Sequence, residues 1–397
     1  MTFAWASVAS ALMVVAAAAF FRGRFYAIFA TVLLTVHTSI SVALWPSFQW
    51  AWPLYAYLQI VVYLHFAGLT RPALRPRIYR ALVSLPASFF VGGTFLALPW
   101  AIAVAVGVVP HLAWLPYVVA LFGLWQSVRR RHEIVDLALE KREVLPLSRH
   151  AHGELRVERP LRLVQITDPH LGPFMSARAL RAICERAVAQ DPDLILLTGD
   201  FVTMESHDAE EAMIEGLSPL RALPGRVFAC RGNHDHEAPE MVARALAAVG
   251  ARLLIDEDQV VETPAGPVQI LGIDFHFRER RARIAQVCAK HPRVPGALRL
   301  VLLHDPGAFV HLPAGGGDLV LAGHTHGGQL GLLSIGLQAT FVSTFTKIPD
   351  HGFWAFGENR MYVHRGTGHY GFPLRVGVPS EESLVRVHFA ASGSPAG

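Results

Sequence analysis

The chain has 397 residues, 52% of them hydrophobic and 17% charged, with 35 Lys+Arg against 31 Asp+Glu. A mean hydropathy of +0.35 is too high for an ordinary soluble protein and points to membrane segments. The basic excess is small, and no basic stripe with interleaved aromatics argues for a specific nucleic-acid partner; the three cysteines, Cys184, Cys230 and Cys288, are too few and too scattered for a disulfide framework or a thiolate metal site.

From Met1 to Val128 there is no Asp, Glu or Lys, and the charges are Arg22, Arg24, Arg71, Arg75, Arg77 and Arg80. Five apolar stretches, 2–21, 26–45, 51–68, 82–107 and 111–127, approach the about 20 residues that a membrane helix needs. Pro99 sits where it would kink the fourth. The first stretch lacks the basic n-region of a signal peptide, since Met1–Ser7 carries no basic side chain, so it reads as a retained helix. Arginine-bearing connections alternate with neutral ones: Arg22 and Arg24, then neutral Pro46–Trp50, then Arg71–Arg80, then neutral Val108–Pro110, then Arg129–Arg131. Because positive loops stay on the cytoplasmic side, this predicts an N-terminus outside, five spans of a cell (inner) membrane, and a cytoplasmic C-terminal part. Inside the spans only His37 and His65 are ionisable; with no acid in the region, they read as packing or interface residues of an anchor.

The charged segment 128–150 is rich in helix formers up to Val144 and predicts a helical stalk that Pro146 ends, followed by a linker over Ser148–Gly153. From Leu161 onward short apolar runs alternate with helical stripes. Strands are expected over Leu161–Thr167, Asp193–Thr198, Arg226–Cys230, Val268–Ile273, Leu298–Leu303 and Asp318–Ala322. Ser176 can cap a helix whose Leu180, Ile183, Cys184, Ala187 and Val188 share one face, and Val242, Ala245, Leu246 and Val249 mark another. This is an α/β pattern with buried sheets.

Polar residues of metal-ligating type follow the strands. Asp168 and His170 follow the first, Gly199-Asp200 the second, Gly232-Asn233-His234-Asp235 the third; His304 follows Leu298–Leu303, and Gly323-His324-Thr325-His326 follows Asp318–Ala322. Loops at the carboxyl ends of strands are where open α/β sheets gather ligands, so these five converge. Asp168, His170, Asp200, Asn233, His304, His324 and His326 are too many groups for one tetrahedral ion and suit two ions that share a carboxylate. Mixed oxygen and nitrogen donors without thiolate suit two divalent ions of the Mn, Fe or Zn kind.

With Asp168-x-His170, Gly199-Asp200, Gly232-Asn233-His234-Asp235, His304 and Gly323-His324-x-His326 in this order, the chain resembles the calcineurin-like metallophosphoesterase superfamily over about 155–390. The run Gly323-His324-Thr325-His326-Gly327-Gly328-Gln329 and the apolar N-terminal stretches resemble its membrane-linked branch. The resemblance implies a sandwich of two mixed β-sheets flanked by helices behind an N-terminal transmembrane bundle. It divides the chain into a transmembrane region 1–127, a stalk and linker 128–153, a catalytic domain 154–390 and a flexible tail 391–397. It also implies the ligand sets: Asp168, His170, Asp200 and His326 on one metal, and Asp200, Asn233, His304 and His324 on the other, with a metal-bridging hydroxide attacking phosphorus. His234 would stabilise the transition state or protonate the leaving oxygen, and Asp235 would orient His234. The implied substrate is a phosphodiester, phosphomonoester or pyrophosphate, a lipid-linked one among the candidates because of the anchor. A membrane scaffold or sensor with a non-catalytic metal site is the alternative, and no ligand of the set is missing. Two departures stand out: Pro169 where relatives often carry Leu, and Gly366-Thr367-Gly368-His369-Tyr370-Gly371 where relatives carry a smaller turn. His369 and Tyr370 either line the substrate pocket or pack. Asp274 and His276 are expected as a polar strand end, with a supporting role at the site as the other reading.

Overall fold

The computed structural model describes residues 2–140, 142–151, 157–372 and 374–389, so Gly153 and the tail 391–397 lie outside the described residues. The chain forms two compact units. The first contains Met1–Val128 together with two excursions from the second half of the sequence, Met204–Asp208 and Gly371–Val376; the second contains the rest. The expected continuous domain over 154–390 is thus interrupted twice.

In the first unit, helices span Thr2–Phe21, Arg24–Leu44, Trp52–Gly68, Leu85–Leu96, Leu98–Ala105 and Leu115–Val128. Gly23, at φ 99°, makes the turn between the first two, a conformation that only glycine adopts freely. The interior is aromatic: Tyr55 stacks on Phe48 at 5.2 Å and meets Phe90 edge-on at 5.0 Å. Three helical runs, Thr2–Phe21, Arg24–Gly68 and Arg77–Leu96, are long and apolar enough to cross a membrane. The second run joins two of the expected stretches, 26–45 and 51–68, as the helices Arg24–Leu44 and Trp52–Gly68 with a 3-10 turn over Trp45–Ala51 between them. The expected 82–107 span breaks at Ala97, because Pro99 in the first turn of the next helix has no N–H to continue the ladder. The last helix, Leu115–Val128, is only 14 residues long.

His37 packs edge-on against Phe90 at 5.3 Å. His65 does have an acidic neighbour. Glu205 enters the unit on the Met204–Asp208 excursion and lies 4.0 Å from His65 Nδ1, and Arg22 Nη2 donates to the Met204 carbonyl at 3.2 Å. Burial pushes the Glu205 carboxyl up to about 7, against the pull of Arg75 and Arg80.

Among the described residues the second unit has thirteen strands: β1 Arg130–Ala138, β2 Val144–Arg149, β3 Leu161–Ile166, β4 Leu194–Leu197, β5 Val227–Ala229, β6 Arg252–Leu253, β7 Glu257–Thr263, β8 Gly266–Ile273, β9 Leu298–Leu303, β10 Leu319–Ala322, β11 Gly352–Gly357, β12 Asn359–Val363 and β13 Ser380–His388. They form two mixed sheets, β1-β13-β3-β4-β5-β6 and β2-β11-β12-β10-β9-β8-β7. Leu161, Leu163, Leu194 and Leu196 of one sheet pack with Ile270, Leu300, Leu302 and Leu321 of the other. Alternate residues of the same strands point outward, and these are apolar too. Val164, Ile166, Ile195 and Leu197 meet the helices Ala177–Ala189 and Pro239–Ala248. Leu271, Ile273, Val301 and Leu303 meet Ile284 and Val287 of the helix Arg280–Lys290. Strands buried on both faces read as continuous apolar runs, which is why they were legible.

Segment 128–150 is not a helical stalk. β1 lies parallel to β13 over its whole length, with Ile134 opposite Leu384 and Val135 opposite Val385, and β2 lies antiparallel to β11. The helix propensity of this stretch amounts to a few tenths of a kcal/mol per residue. It yields to a full ladder of backbone hydrogen bonds and to the Asp136–Arg386 pairing across it (Nε–Oδ1 2.8 Å).

The register positions the site. β3, β4 and β5 run parallel with Ile166 opposite Leu197 and Leu197 opposite Ala229. β8, β9 and β10 run parallel with Ile273 opposite Leu303 and Leu302 opposite Leu321. The carboxyl ends of each parallel set are therefore level, and the loops that leave them share one edge of the sandwich.

Candidate active site

The loops after β3, β4, β9 and β10 bring six of the expected residues into two clusters: Asp168, His170 and His326 in one, Asp200, His304 and His324 in the other, with ligand atoms within 4.8 Å of one another inside each. Asp200 stands between them. Its Oδ2 is 3.2 Å from His304 Nε2 and 3.6 Å from His170 Nε2. Asp168 Oδ1 is 3.3 Å from His326 Nε2, and His170 Nε2 is 3.2 Å from His326 Nε2.

The imidazoles are aimed by their other nitrogens. His170 Nδ1 donates to the Val202 carbonyl at 3.0 Å, and His304 Nδ1 donates to the Thr198 carbonyl at 2.6 Å. That tautomer leaves each Nε2 lone pair pointing into the site, as a metal-ligating histidine requires. Thr167 Oγ1 donates to Asp168 Oδ2 at 2.8 Å, and the His324 amide donates to the same carboxylate at 3.1 Å. The backbone is strained to do this: Asp168, His170, Asp200, His324 and His326 all have φ between 48° and 68°. Left-handed conformations in non-glycine residues cost of order 1 kcal/mol or more each and cluster at functional sites. Two glycines permit the closeness. A Cβ on Gly232 would strike the Asp200 carboxylate, and one on Gly323 would strike Asp168.

Asn233 contributes a second kind of signal. Its Oδ1 is buried and has no hydrogen-bond partner, and a buried acceptor left so is costly unless a cation takes it. The buried carboxylates Asp168 and Asp200 meet the same need. Burial pushes Asp168 up to about 6; the charge of His304 works against this and the repulsion of Asp200 adds to it. Burial alone would raise Asp200 too, but the charge of His304 and its hydrogen bond outweigh it and hold the Asp200 carboxyl well below the usual range. Burial pushes His170 down to about 3 and His324 down to about 4, so both rings are neutral and free to ligate. Burial works against a charge on His304, but Asp200 outweighs it and pushes that ring up to about 10, so a cation at its Nε2 would take the place of a proton; the donor set of carboxylates, imidazoles and one amide oxygen fits two divalent cations.

His234 and Asp235 part company. The His234 ring lies beside His170, centroids 5.4 Å apart, and its Nδ1 is 3.1 Å from Glu237 Oε1. Asp235 does not orient it. The Asp235 carboxylate is fully buried and accepts three backbone amides, those of Asp200, Phe201 and Gly232, each at 2.8 Å. It stitches the loop after β4 to the loop after β5. Glu237 was not singled out in the sequence, although its place three residues after His234, within one turn of 3-10 helix, was a usable sign.

Tyr370 lies at the site. Its ring stacks on His170 at 5.1 Å and meets His234 edge-on at 4.9 Å, whereas His369 is buried against Phe174 at 4.2 Å. Gly368 N donates to the Asp168 carbonyl at 3.0 Å and ties this loop to the one after β3. Asp274 pairs with Arg231, Nε to Oδ1 3.0 Å, and lies 3.4 Å from His236, so it braces the Gly232–Asp235 loop from behind. His276 lies 3.4 Å from Asp256 and lines a small cavity together with Asp274 and His304.

A family model described as calcineurin-like phosphoesterase matches residues 161–328, the span that holds every residue of both clusters. The chain is 32% identical over 221 residues to the phosphodiesterase YaeI of Escherichia coli, covering 54% of this chain and 78% of that one. It is 28% identical over 282 residues to a transmembrane protein with metallophosphoesterase domain of Danio rerio, covering 66% of this chain and 59% of that one. It is also 26% identical over 271 residues to the UDP-2,3-diacylglucosamine pyrophosphatase LpxG of Chlamydia muridarum, covering 55% of this chain and 79% of that one.

Proposed function

The chain belongs to the calcineurin-like phosphoesterase family, and on that premise we propose that it is a membrane-anchored phosphoesterase working with two divalent cations. The observation that carries the proposal is the shared carboxylate, Asp200 Oδ2, set between His304 Nε2 at 3.2 Å and His170 Nε2 at 3.6 Å. Asp168, His170 and His326 would hold one cation, Asn233, His304 and His324 the other, and Asp200 both. When bound, such ions lower the pKa of water and neutralise charge on phosphoryl oxygens. Everything else falls to the protein. His234 stands beside the clusters. Burial works against its charged form, but the carboxylates of Glu237 and Asp200 outweigh it and raise its pKa. A protonated ring so placed can stabilise a phosphoryl oxygen or give its proton to the leaving group. Asp235 fixes the backbone that presents Asp200 and touches no reacting atom.

The bond cut is a phosphodiester or pyrophosphate in preference to a monoester, a reading supported by the E. coli relative being a phosphodiesterase and the Chlamydia relative a pyrophosphatase. The arginine alternation supports a cytoplasmic catalytic domain on a multi-pass inner-membrane anchor. The purified chain, supplied with Mn, Fe or Zn, is expected to hydrolyse at least one of a soluble phosphodiester, a phosphomonoester and a pyrophosphate. Hydrolysis of none of them with any ion would end the proposal. A reporter active only in the cytoplasm, fused at Gly397, checks the orientation; a silent reporter on an expressed fusion would reverse it.

A further inference from the structure

Between Gln329 and Asp350 the chain makes an excursion that neither metal cluster uses. Its ends meet the His324–His326 turn, Gln329 N donating to the His326 carbonyl at 3.3 Å and Thr325 Oγ1 to the Asp350 carbonyl at 2.8 Å, and its two limbs are paired by an antiparallel bridge between Gly331 and Thr340. The excursion carries Leu332, Ile335, Leu337, Phe341, Phe345 and Ile348, which are 41–72% exposed. Side chains of this size expose together roughly 600 Å², at the upper end of what a soluble monomer leaves open to water.

The hydroxyls of the same segment are satisfied on its own backbone, even where the residues are exposed. Thr344 Oγ1 donates to the Thr340 carbonyl at 2.7 Å, Thr346 Oγ1 to the Val342 carbonyl at 2.9 Å, and Ser343 Oγ to the Thr340 carbonyl at 3.1 Å. Gln338 Oε1 is 2.8 Å from His351 Nε2, and Thr340 Oγ1 is held by the Asp350 carboxylate. Hydroxyls that satisfy themselves on their own backbone do not need water, which is the condition a segment must meet to enter lipid. Lys347 is the only charged residue from Gln329 to Pro349. A lone cation on a long stem can keep its head among anionic headgroups while the rest is buried.

We propose that this 330–348 excursion is a membrane-contact surface that sits in the bilayer interface, and that the metal site it is rooted in therefore acts on an amphiphile, a phosphoester whose acyl part stays in the membrane. A soluble partner protein would cover the apolar side chains equally well. The bilayer is chosen because hydroxyls already satisfied on their own backbone and a single cation suit lipid, and because a chain with three runs able to cross a membrane keeps a bilayer always at hand. The substrate half of the proposal rests on the phosphoesterase reading; the contact half does not.

The test uses the full chain in liposomes of phosphatidylethanolamine and phosphatidylglycerol, with and without brominated acyl chains. A polarity-sensitive dye is placed at Ile335→Cys in a Cys288→Ser background; Cys184 and Cys230 are fully buried. The dye is expected to emit as in an apolar medium and to be quenched by bromine, whereas a dye at exposed Glu185→Cys is not. Water-like, unquenched emission from Ile335→Cys overturns the contact, whatever the activity. The double variant Phe341→Ser/Phe345→Ser is then assayed on a soluble phosphodiester and on a lipid phosphodiester carried in vesicles. The expected result is an unchanged rate on the first and about a tenfold higher KM with unchanged kcat on the second. An equal loss on both, or a change on neither, overturns the substrate half. A quenched dye in a chain that hydrolyses no phosphoester sinks the phosphoesterase reading and leaves the contact standing.

Discussion

Replacing Asp235 by Asn separates two accounts of this residue. In the structure its Oδ2 accepts the amides of Asp200 and Gly232, and its Oδ1 accepts that of Phe201, all at 2.8 Å and all buried. Asparagine has one acceptor oxygen. Placed to keep the two bonds of Oδ2, it sets its NH₂ against the Phe201 N–H, so one bond is lost and a buried donor is left facing a donor. An unsatisfied buried donor costs about 1–3 kcal/mol, and the two surviving bonds lose their charge assistance. The sum is about 3 kcal/mol, which in a unit of this size lowers the melting temperature by roughly 6–12 °C. The Asp200 backbone, no longer held from behind, presents its shared carboxylate less well. The metal-free full chain in detergent is therefore expected to melt earlier, and the reloaded variant to retain fewer ions per chain. A variant with wild-type melting and full metal content but a low kcat would refute this reasoning and return Asp235 to acting through His234.

Gly232→Ala places a methyl group against the Asp200 carboxylate and within 2.6 Å of the Asp200 amide; overpacking of this kind costs about 1–3 kcal/mol, and a drop in activity of at least tenfold with reduced metal retention is expected from kinetics and metal analysis. Glu381 gives a pH prediction away from the metals. Burial works against its charge, but His364, Arg365 and the Tyr362 hydroxyl outweigh it and hold its carboxyl at about 2. A carboxylate depressed on folding contributes stability that is full above about pH 4.5 and is lost as pH falls towards 2, here about 3 kcal/mol. Glu381→Gln should flatten that part of the acid unfolding profile, and an unchanged profile would remove the assignment. Tyr370→Ala removes the ring stacked on His170 and is expected to raise KM for the phosphoester severalfold while leaving the metal content of the purified chain unchanged.

How much could be read beforehand depended on where the deciding contact lay. The strands that carry the site are apolar on both faces and end in Asp, His or Asn, so local pattern alone located Asp168, Asp200, Asn233, His304 and His324. β1 was hidden because its partner Ser380–His388 lies some 250 positions away, and a run such as Arg-Arg-His-Glu suits a helix until that partner is known. The β-branched pair Ile134-Val135 was the one local hint. Asp235 was assigned by likeness to a His–Asp pair, and only geometry reveals that its carboxylate faces amides. Glu205 shows the same limit in another form. No pattern in residues 201–208 tells that Met204–Asp208 folds with the helices and gives His65 its acidic neighbour.

The central claim is that one carboxylate, Asp200, serves two cations at one hydrolytic site. Metal analysis of the purified full chain and of Asp200→Asn, with phosphodiester hydrolysis measured on the same samples, tests it most directly. The account predicts two divalent ions per wild-type chain, a loss of at least one ion in the variant, and a fall in hydrolysis of at least a thousandfold. A variant that keeps both ions and hydrolyses at the wild-type rate would contradict it.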